Sequence, residues 1–304
     1  MLRTRLGARD GGQSVQIVGW RRSGKSSLLN YVQQRINEFC APEQHALPIL
    51  LSLQNQLFQT PQGINEGLRR EITRATGHAP WQFSENDDNW AINDGLAALR
   101  DSGRRLIILI DEFERIGTRL AEFVDWGSDW RYKASDAGYF SLVIASLRPI
   151  GECYETFGLE SPFGNIFLHT ELGAFDEPTW QHLVHDGLAQ RGQQPSAAER
   201  ALIDDLAGGM PSYVQLAASL LWEQPDPAWV RAEFALQAAP RFAELFRDLN
   251  ATEQHVLRHA TGARGLVAPA SALVQRLQRL GLLRADGRVF SSALAAWLRD
   301  AVHH

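Results

Sequence analysis

Long apolar runs are missing from this chain of 304 residues. No stretch approaches the roughly 18 consecutive apolar residues that a helix needs to span a bilayer. The amino terminus also lacks the apolar core of a signal peptide. We therefore expect a cytoplasmic protein with no membrane partner, long enough for two or three domains.

Cysteine is scarce, and no charge of one sign dominates. Cys40 and Cys153 stand far apart, which excludes a disulfide framework and a zinc-ligand spacing, and the nine histidines form no ligand cluster. The formal net charge of -5 argues against a chain that binds nucleic acid nonspecifically over its whole surface.

The most informative segment that is present covers residues 15 to 31. An apolar strand pattern leads through a loop into an amphipathic helix pattern, with Gly19, Gly24, Lys25 and Ser26 in the Walker A spacing. Backbone N–H groups of such a loop converge on phosphate oxygens, and glycine leaves room for that approach. A glycine turn with a solvated lysine is the structural alternative.

Each position of this loop has a predicted role. Lys25 reaches the β and γ phosphates of ATP, the Ser26 hydroxyl holds Mg²⁺, and Ser27 starts the helix. The predicted nucleotide-binding residues of the loop are Gly19, Trp20, Arg21, Arg22, Ser23, Gly24, Lys25, Ser26 and Ser27.

A second motif follows an aliphatic run over residues 104 to 110, which is typical of a parallel strand covered on both faces. Asp111 and Glu112 come directly after it. We predict that Asp111 lies in the magnesium shell, directly or through water, and that Glu112 polarises the attacking water. Alone, such an acidic pair is more typical of a solvated helix cap, and the Walker A loop reverses that preference.

A third strand pattern, over residues 139 to 149, ends in polar residues and Pro149. If the sheet inserts this strand between the other two, Ser146 or Arg148 faces the γ phosphate and senses the nucleotide state. The alternative is that Arg148 only pairs with a surface acid. The sequence does not separate Ser146 from Arg148.

Alternating strand and helix patterns predict a P-loop NTPase fold, a parallel sheet sandwiched by helices, over residues 1–170. Further strands are expected at residues 48–53 and 165–168. Helix patterns then dominate, which predicts an α-helical lid over 171–249 and a winged-helix domain over 250–304.

The predicted winged-helix domain starts with a helix capped by Thr252 and continues with a helix from Ala268 to Leu280. Two short strands around Asp286-Gly287 complete it. Four arginines there are either a DNA-reading face or, more commonly for such residues, a solvated surface: Arg276, Arg279, Arg284 and Arg288.

Read in order, these motifs resemble the STAND class of signal-transduction ATPases, relatives of the AAA+ P-loop proteins. The resemblance rests on the Arg-Arg phosphate loop, Asp111-Glu112, residues 145–149, Gly209-Met210-Pro211 and the predicted winged helix. Residues 161–167, Ser-Pro-Phe-Gly-Asn-Ile-Phe, add to the likeness with the bacterial and archaeal branch. It covers nearly the whole chain.

The resemblance implies that Pro211 contacts the adenine side and that the lid and winged helix close over ADP. Exchange for ATP then opens the protein for self-association. Family members act as sensors or immune switches, often in antiphage defence, which implies an effector or sensor part outside these residues. Two features depart from the family: the upstream arginine motif is reduced to Arg3 and Arg5, and residues 290–292 contain no histidine.

The leading hypothesis is an ATP-driven conformational switch that hydrolyses slowly to reset its state. The alternative from another class is an ATP-dependent DNA-binding protein, a loader or regulator that uses the winged helix. A small-molecule kinase is a weaker possibility, because no acceptor site is recognisable. Candidates for an arginine that acts on a neighbouring protomer are Arg115, Arg119 and Arg131.

Overall fold

The computed structural model describes residues 2–7, 13–82, 89–189, 194–262 and 270–300. The chain divides into two compact units. The first comprises Met1–Gly19 and Lys25–Thr170, and the second comprises Trp20–Gly24 and Glu171–His304. The central residues of the predicted phosphate loop thus group with the second unit. A division between lid and winged helix at residue 249 stays a prediction.

A five-stranded sheet forms the centre of the first unit, in the order β2-β3-β4-β1-β5. The strands are β1 (Val15–Val18), β2 (Ala46–Ser52), β3 (Arg105–Asp111), β4 (Phe140–Ser146) and β5 (Leu168–Glu171). β1, β2, β3 and β4 pair in parallel, with Val18 beside Ser146 and Ser52 beside Asp111. β4 lies between β3 and β1, so the condition on which the predicted sensor role of Ser146 or Arg148 depended is met.

Helices cover both faces of this sheet. They are α1 (Leu2–Leu6), α2 (Lys25–Gln34), α3 (Pro61–Thr76), α4 (Asn89–Asp101), α5 (Phe123–Arg131) and α6 (Ile150–Thr156). α2 packs on β2, β3 and β4. Leu106, Ile108 and Ile110 of β3 face a separate apolar core to which α3, α4 and α5 contribute. The predicted sandwich of a parallel sheet between helices is confirmed.

The last strand lies further along the chain than predicted. Residues 165 and 166 end a 3₁₀ helix, Pro162–Ile166, and β5 begins only at Leu168. The Ser161 side chain accepts a hydrogen bond from the Phe163 backbone N–H, and Pro162 occupies the first helical position. Proline and a serine cap together start a helical turn, which delays the strand.

The second unit is helical in its described part. Its helices are α7 (Glu177–Ala189), α8 (Ala197–Ala207), α9 (Pro211–Glu223), α10 (Pro227–Asp248), α11 (Ala251–Ala260), α12 (Ser271–Arg279) and α13 (Ser292–Asp300). One apolar core joins side chains of all seven. Ser196 and Glu199 form a capping box at the start of α8.

The carboxyl-terminal part differs from the prediction in three details. Asn250, rather than Thr252, caps α11, because Asn250 and Glu253 exchange hydrogen bonds of 2.9 Å as a capping box. The predicted strands around Asp286-Gly287 reduce to one antiparallel bridge, Leu283 with Val289. α13 follows without having been predicted, and Ala268 lies outside the described residues.

Lysine occurs at only two positions, Lys25 and Lys133, and all other basic residues of the chain are arginines. Both lysine side chains are buried. The Lys133 ammonium donates to the carboxylate of Asp129, one helical turn earlier. Arginine thus carries the exposed positive charge of the described residues. None of the described helices is long and apolar enough to cross a membrane.

Candidate nucleotide-binding site

The loop after β1 folds back on its own first residue. The Gly19 N–H donates to the Ser146 carbonyl at 3.1 Å, which ties the loop to the end of β4. Lys25 is the first residue of α2, and its buried Nζ donates to the Gly19 carbonyl at 2.6 Å. Gly24 has a φ of 96°, and a Cβ there would meet no heavy atom within 4 Å. Glycine is therefore required at Gly24 by backbone conformation rather than by crowding.

The middle of the loop has a different environment from its ends. Trp20 is buried in the apolar core of the second unit. Arg21 is in an ion pair with Asp248, and Arg22 lies 3.6 Å from Glu244. These side chains, predicted to bind nucleotide, are thus committed to protein partners. Any phosphate contact that they make would come from their backbone N–H groups.

Ser23 and Ser27 complete the predicted loop. Ser23 is buried, and its N–H donates to the Trp20 carbonyl at 3.2 Å, closing a turn. Ser27 is exposed in the first turn of α2. Their contact with nucleotide stays a prediction.

Ser26 and Asp111 meet at the carboxyl edge of the sheet, where the sequence predicts magnesium. Burial raises the pKa of the Asp111 carboxyl, and a hydrogen bond from the Ser26 side chain opposes that shift. The Glu112 N–H also donates to Asp111 Oδ1 at 2.9 Å. A hydroxyl and a carboxylate in contact fit Mg²⁺, which takes one or two protein oxygens beside phosphate oxygens and water.

No cluster of three or more acidic, histidine or cysteine side chains within the described ranges could hold a metal ion. A magnesium ion at Ser26 and Asp111 would therefore take the rest of its shell from nucleotide oxygens and water.

Glu112 has an unusual backbone and an engaged side chain. Its φ of 58° and ψ of 48° lie in the left-handed region, which costs a non-glycine residue about 1 kcal/mol. Gln54 Nε2 donates to one carboxylate oxygen at 3.0 Å, and Arg115 Nε donates to the other at 3.0 Å. The predicted water-orienting carboxylate is therefore held by two neighbours. Gln54 follows β2 and was not among the predicted residues.

The end of β4 is organised by a buried amide that sequence reasoning missed. Gln16 Nε2 donates to Ser146 Oγ at 2.7 Å and to the Arg148 carbonyl at 3.0 Å, while its Oε1 accepts from the Ile150 N–H at 3.2 Å. Ser146 Oγ donates to the Arg148 carbonyl at 2.7 Å. The one proton of Ser146 is thus committed within this network. Arg148 Nη1 lies 3.9 Å from Glu152 Oε2, which agrees with the alternative that Arg148 pairs with a partly exposed acid, and its sensor role stays a prediction.

We predict that Gln16→Leu destabilises the chain by roughly 2–3 kcal/mol, because it leaves buried partners at Ser146 and Ile150 without their hydrogen bonds. Urea unfolding would measure this change. The matched control is Gln34→Leu, an exposed position at the end of α2, where we expect less than about 0.5 kcal/mol. Equal effects of the two substitutions would contradict the role assigned to Gln16.

Glu114 is a second residue that the motifs did not identify. Its Oε2 accepts a hydrogen bond of 3.2 Å from the Leu147 N–H, so it connects the segment after β3 to the end of β4. Burial raises the pKa of Glu114, and the charge of Lys25 opposes that shift. The sequence signal is only an acid two residues beyond the predicted pair.

Pro211 is the buried first residue of α9, after a turn in which Gly208 and Gly209 have positive φ. The described contacts do not test its predicted adenine role. Of the candidate arginines near β3, Arg115 pairs with Glu112 and Arg119 pairs with Glu122 at 3.2 Å. Arg131 is exposed at the end of α5.

The predicted DNA-reading arginines are largely engaged with acids of the same unit. Arg279 pairs with Glu171, Arg284 pairs with Asp204 at 2.7 Å, and Arg288 pairs with Asp286 at 2.6 Å. Such pairs reduce the positive charge offered to a phosphate backbone. The paired arginines therefore support DNA binding less than the four arginines in the sequence suggested.

The parallel sheet flanked by helices, with a glycine-containing loop between β1 and α2, is the P-loop NTPase fold. A Walker-type ATPase of Pyrococcus abyssi has a similar structure, with a TM-score of 0.62 at 16% sequence identity over 94% of this chain and 90% of that one. The ORC2 protein of Aeropyrum pernix, in its ADPNP-ADP complexes, is similar with a TM-score of 0.56 at 15% identity, over 99% and 89% of the two chains.

Sequence comparison adds nothing to this structural likeness. No family model matches the chain, and no curated protein matches it. At 15% and 16% identity the similar structures establish the fold alone.

Proposed function

We propose that this chain is an ATP-binding, slowly hydrolysing molecular switch of the STAND kind, whose ADP or ATP state controls opening and self-association. The observation that carries the proposal is the engaged state of Glu112. A carboxylate held by Gln54 and Arg115 is not poised to orient water, as expected for a resting site that awaits a trigger.

The residues of the site divide the work as follows. Lys25 neutralises phosphate charge, and its present bond to the Gly19 carbonyl would exchange for a phosphate oxygen. Ser26 and Asp111 hold Mg²⁺, which when bound offsets charge on the phosphates. Glu112, once released by Gln54 and Arg115, accepts a hydrogen bond from the attacking water.

The same proposal assigns the finer roles. Arg148 senses the γ phosphate from the end of β4, and Pro211 contacts the adenine side. The carboxyl-terminal helices act as a lid and a winged helix that close over ADP. The proposed partner is an effector or sensor domain or protein. The protein acts in the cytoplasm, and its proposed role is signalling, with antiphage defence as one example. The likeness of the motifs to the STAND class supports these assignments.

We expect ATP turnover per protomer to rise as the protein concentration is raised, because a neighbour would complete the site with an arginine such as Arg131.

We also expect Gln54→Ala to turn over ATP several-fold faster than the parent chain at low concentration, since it releases Glu112. Gln54 is exposed, so the substitution does not disturb the core.

A coupled assay of phosphate release over a dilution series measures both effects. Gln59→Ala, which removes a side-chain amide from the Leu53 carbonyl on the same segment, is the matched control. If turnover per protomer does not change with protein concentration, no arginine from a neighbouring protomer completes the site. If Gln54→Ala turns over ATP at the rate of the parent chain, the Gln54 contact does not hold Glu112 in a resting state.

A further inference from the structure

A cavity of about 590 Å³ lies in the first unit, at the amino ends of β3 and β4. We call it the basic cavity, and its principal lining residues are Ser14, Arg100, Arg104, Arg105, Tyr139 and Ser141. Asp111 and Ser146 lie at the opposite ends of the same strands. With seven residues in β3, that separation is about 20 Å, so the basic cavity is distinct from the nucleotide site.

The charge of the basic cavity has one sign. Among the described residues that line it, the charged ones are Arg100, Arg104 and Arg105. Arg104 is exposed, whereas Arg105 is partly buried, and burial lowers the pKa of Arg105. Arg100 is exposed as well, so two guanidinium groups reach solvent at the rim and one lies deeper, an arrangement that suits an anion entering from solvent.

Arg100 is held in place by its surroundings. Its guanidinium lies 5.3 Å from the centre of the Tyr139 ring, and its Nη1 donates to the Ala137 carbonyl at 3.0 Å. Asp101 accepts from its Nε at 2.9 Å, which offsets part of the charge. Backbone hydrogen bonds close α4, from the Ser102, Gly103 and Arg104 N–H groups to the Ala98, Arg100 and Leu99 carbonyls.

The walls of the basic cavity have an unusual backbone. Ala134 and Ser135 lie on a π-helical turn, Tyr132–Asp136, a rare conformation that is frequent at functional sites. Gly103 and Gly138 have φ values of 80° and 64°, and a Cβ at either would point into open space. Left-handed glycines thus shape two of the walls.

Neutral donors stand beside the arginines. The Ser14 side chain is buried and its Oγ accepts from the Leu142 N–H at 3.2 Å, which leaves the hydroxyl able to donate its own proton. Ser135, Ser141 and Tyr139 add further hydroxyls to the lining. Guanidinium forks with hydroxyl donors are the groups that bind phosphate and carboxylate oxygens.

The geometry points to a second ligand site: the basic cavity takes a compact metabolite that carries two or more phosphate or carboxylate groups. Its volume falls within the range of small-molecule sites. The assignment is independent of ATP hydrolysis, since none of its residues belongs to the nucleotide site.

Isothermal titration of inorganic pyrophosphate, without magnesium, into the Lys25→Ala chain tests this assignment. That background removes the lysine of the phosphate loop, so a saturable signal of one site per chain reports the basic cavity. Titration into the parent chain held at saturating ADP checks the result where Lys25→Ala folds poorly. Citrate, titrated in the same way, distinguishes a carboxylate ligand from a phosphate ligand.

We expect Arg104→Gln/Arg105→Gln to weaken pyrophosphate or citrate binding by about tenfold or more, equivalent to ~1.4 kcal/mol. Arg104→Gln alone changes an exposed residue and should weaken it by a smaller factor without disturbing the fold. Arg74→Gln, which changes an exposed arginine of α3 in the first unit, is the matched control and should leave binding unchanged. No saturable binding of either probe up to about 10 mM, or equal binding by the double variant, would overturn the assignment.

Discussion

Lys25→Ala should weaken ATP binding at least about 100-fold, a loss of ~2.7 kcal/mol. Lys25 provides the only ammonium group of the predicted phosphate loop, and its Nζ already lies against that loop at the Gly19 carbonyl. Alanine removes a charge that the backbone N–H groups cannot replace. Binding of a fluorescent ATP analogue with Mg²⁺, measured by anisotropy, gives the change directly.

The control for this substitution is Arg35→Ala, which removes an exposed cation just beyond the end of α2. It should bind ATP within about twofold of the parent chain, since surface charges far from a site act weakly through solvent. Thermal unfolding without nucleotide shows whether Lys25→Ala is folded. A folded Lys25→Ala chain with the affinity of the parent would refute the assigned phosphate loop.

Glu112→Gln should lower ATP turnover by about 10²–10³ while ATP binding is retained, because a positioned general base contributes a factor of this size. Glutamine has the same shape and can accept a hydrogen bond from Gln54, so the local structure is preserved. The left-handed backbone at this residue suits glutamine no worse than glutamate. Measuring single-turnover hydrolysis and, separately, nucleotide affinity distinguishes an effect on turnover from an effect on ATP binding.

Substitutions of two other carboxylates after β3 test whether the loss of turnover is particular to Glu112. Glu122→Gln alters an exposed acid paired with Arg119 and should leave turnover unchanged. Glu114→Gln alters the acid that accepts from Leu147. If turnover collapses in Glu114→Gln and persists in Glu112→Gln, the roles of the two acids have to be exchanged.

The central strands, the phosphate-loop motif and the Asp111-Glu112 pair were recognisable in the sequence, because each is encoded in consecutive residues. An uninterrupted aliphatic run identifies β3, and glycine, lysine and serine spacing identifies the loop after β1. The place of β4 between them is shown by the structure, because strand order depends on pairing between distant segments.

The supporting contacts were not predictable, because they join residues far apart in the chain. Gln16 and Ser146 are 130 positions apart, and Gln54 and Glu112 are 58 apart. Glutamine has no periodicity that reveals a buried amide, and its partners exist only once the sheet has formed. The burial of Trp20 in the second unit is likewise a tertiary effect with no local signal.

The position of β5 shows how local chemistry can mislead. The apolar residues near 166 suggest a strand, yet Ser161 and Pro162 start a helical turn and the strand follows it. The pattern of β5 itself alternates between half-buried and exposed residues, as expected at a sheet edge, and lacks the apolar run that marks the central strands.

The two buried lysines have a consequence for how this chain can be regulated. Lysine acetylation, lysine methylation and ubiquitin conjugation to lysine all require an accessible ammonium group, and both lysine side chains of this chain are buried. The exposed positive charge belongs to guanidinium groups, which stay protonated across the physiological pH range. Lysine-modifying enzymes therefore find no exposed lysine ammonium group to act on, and the guanidinium part of the positive surface charge does not change with modest changes in acidity.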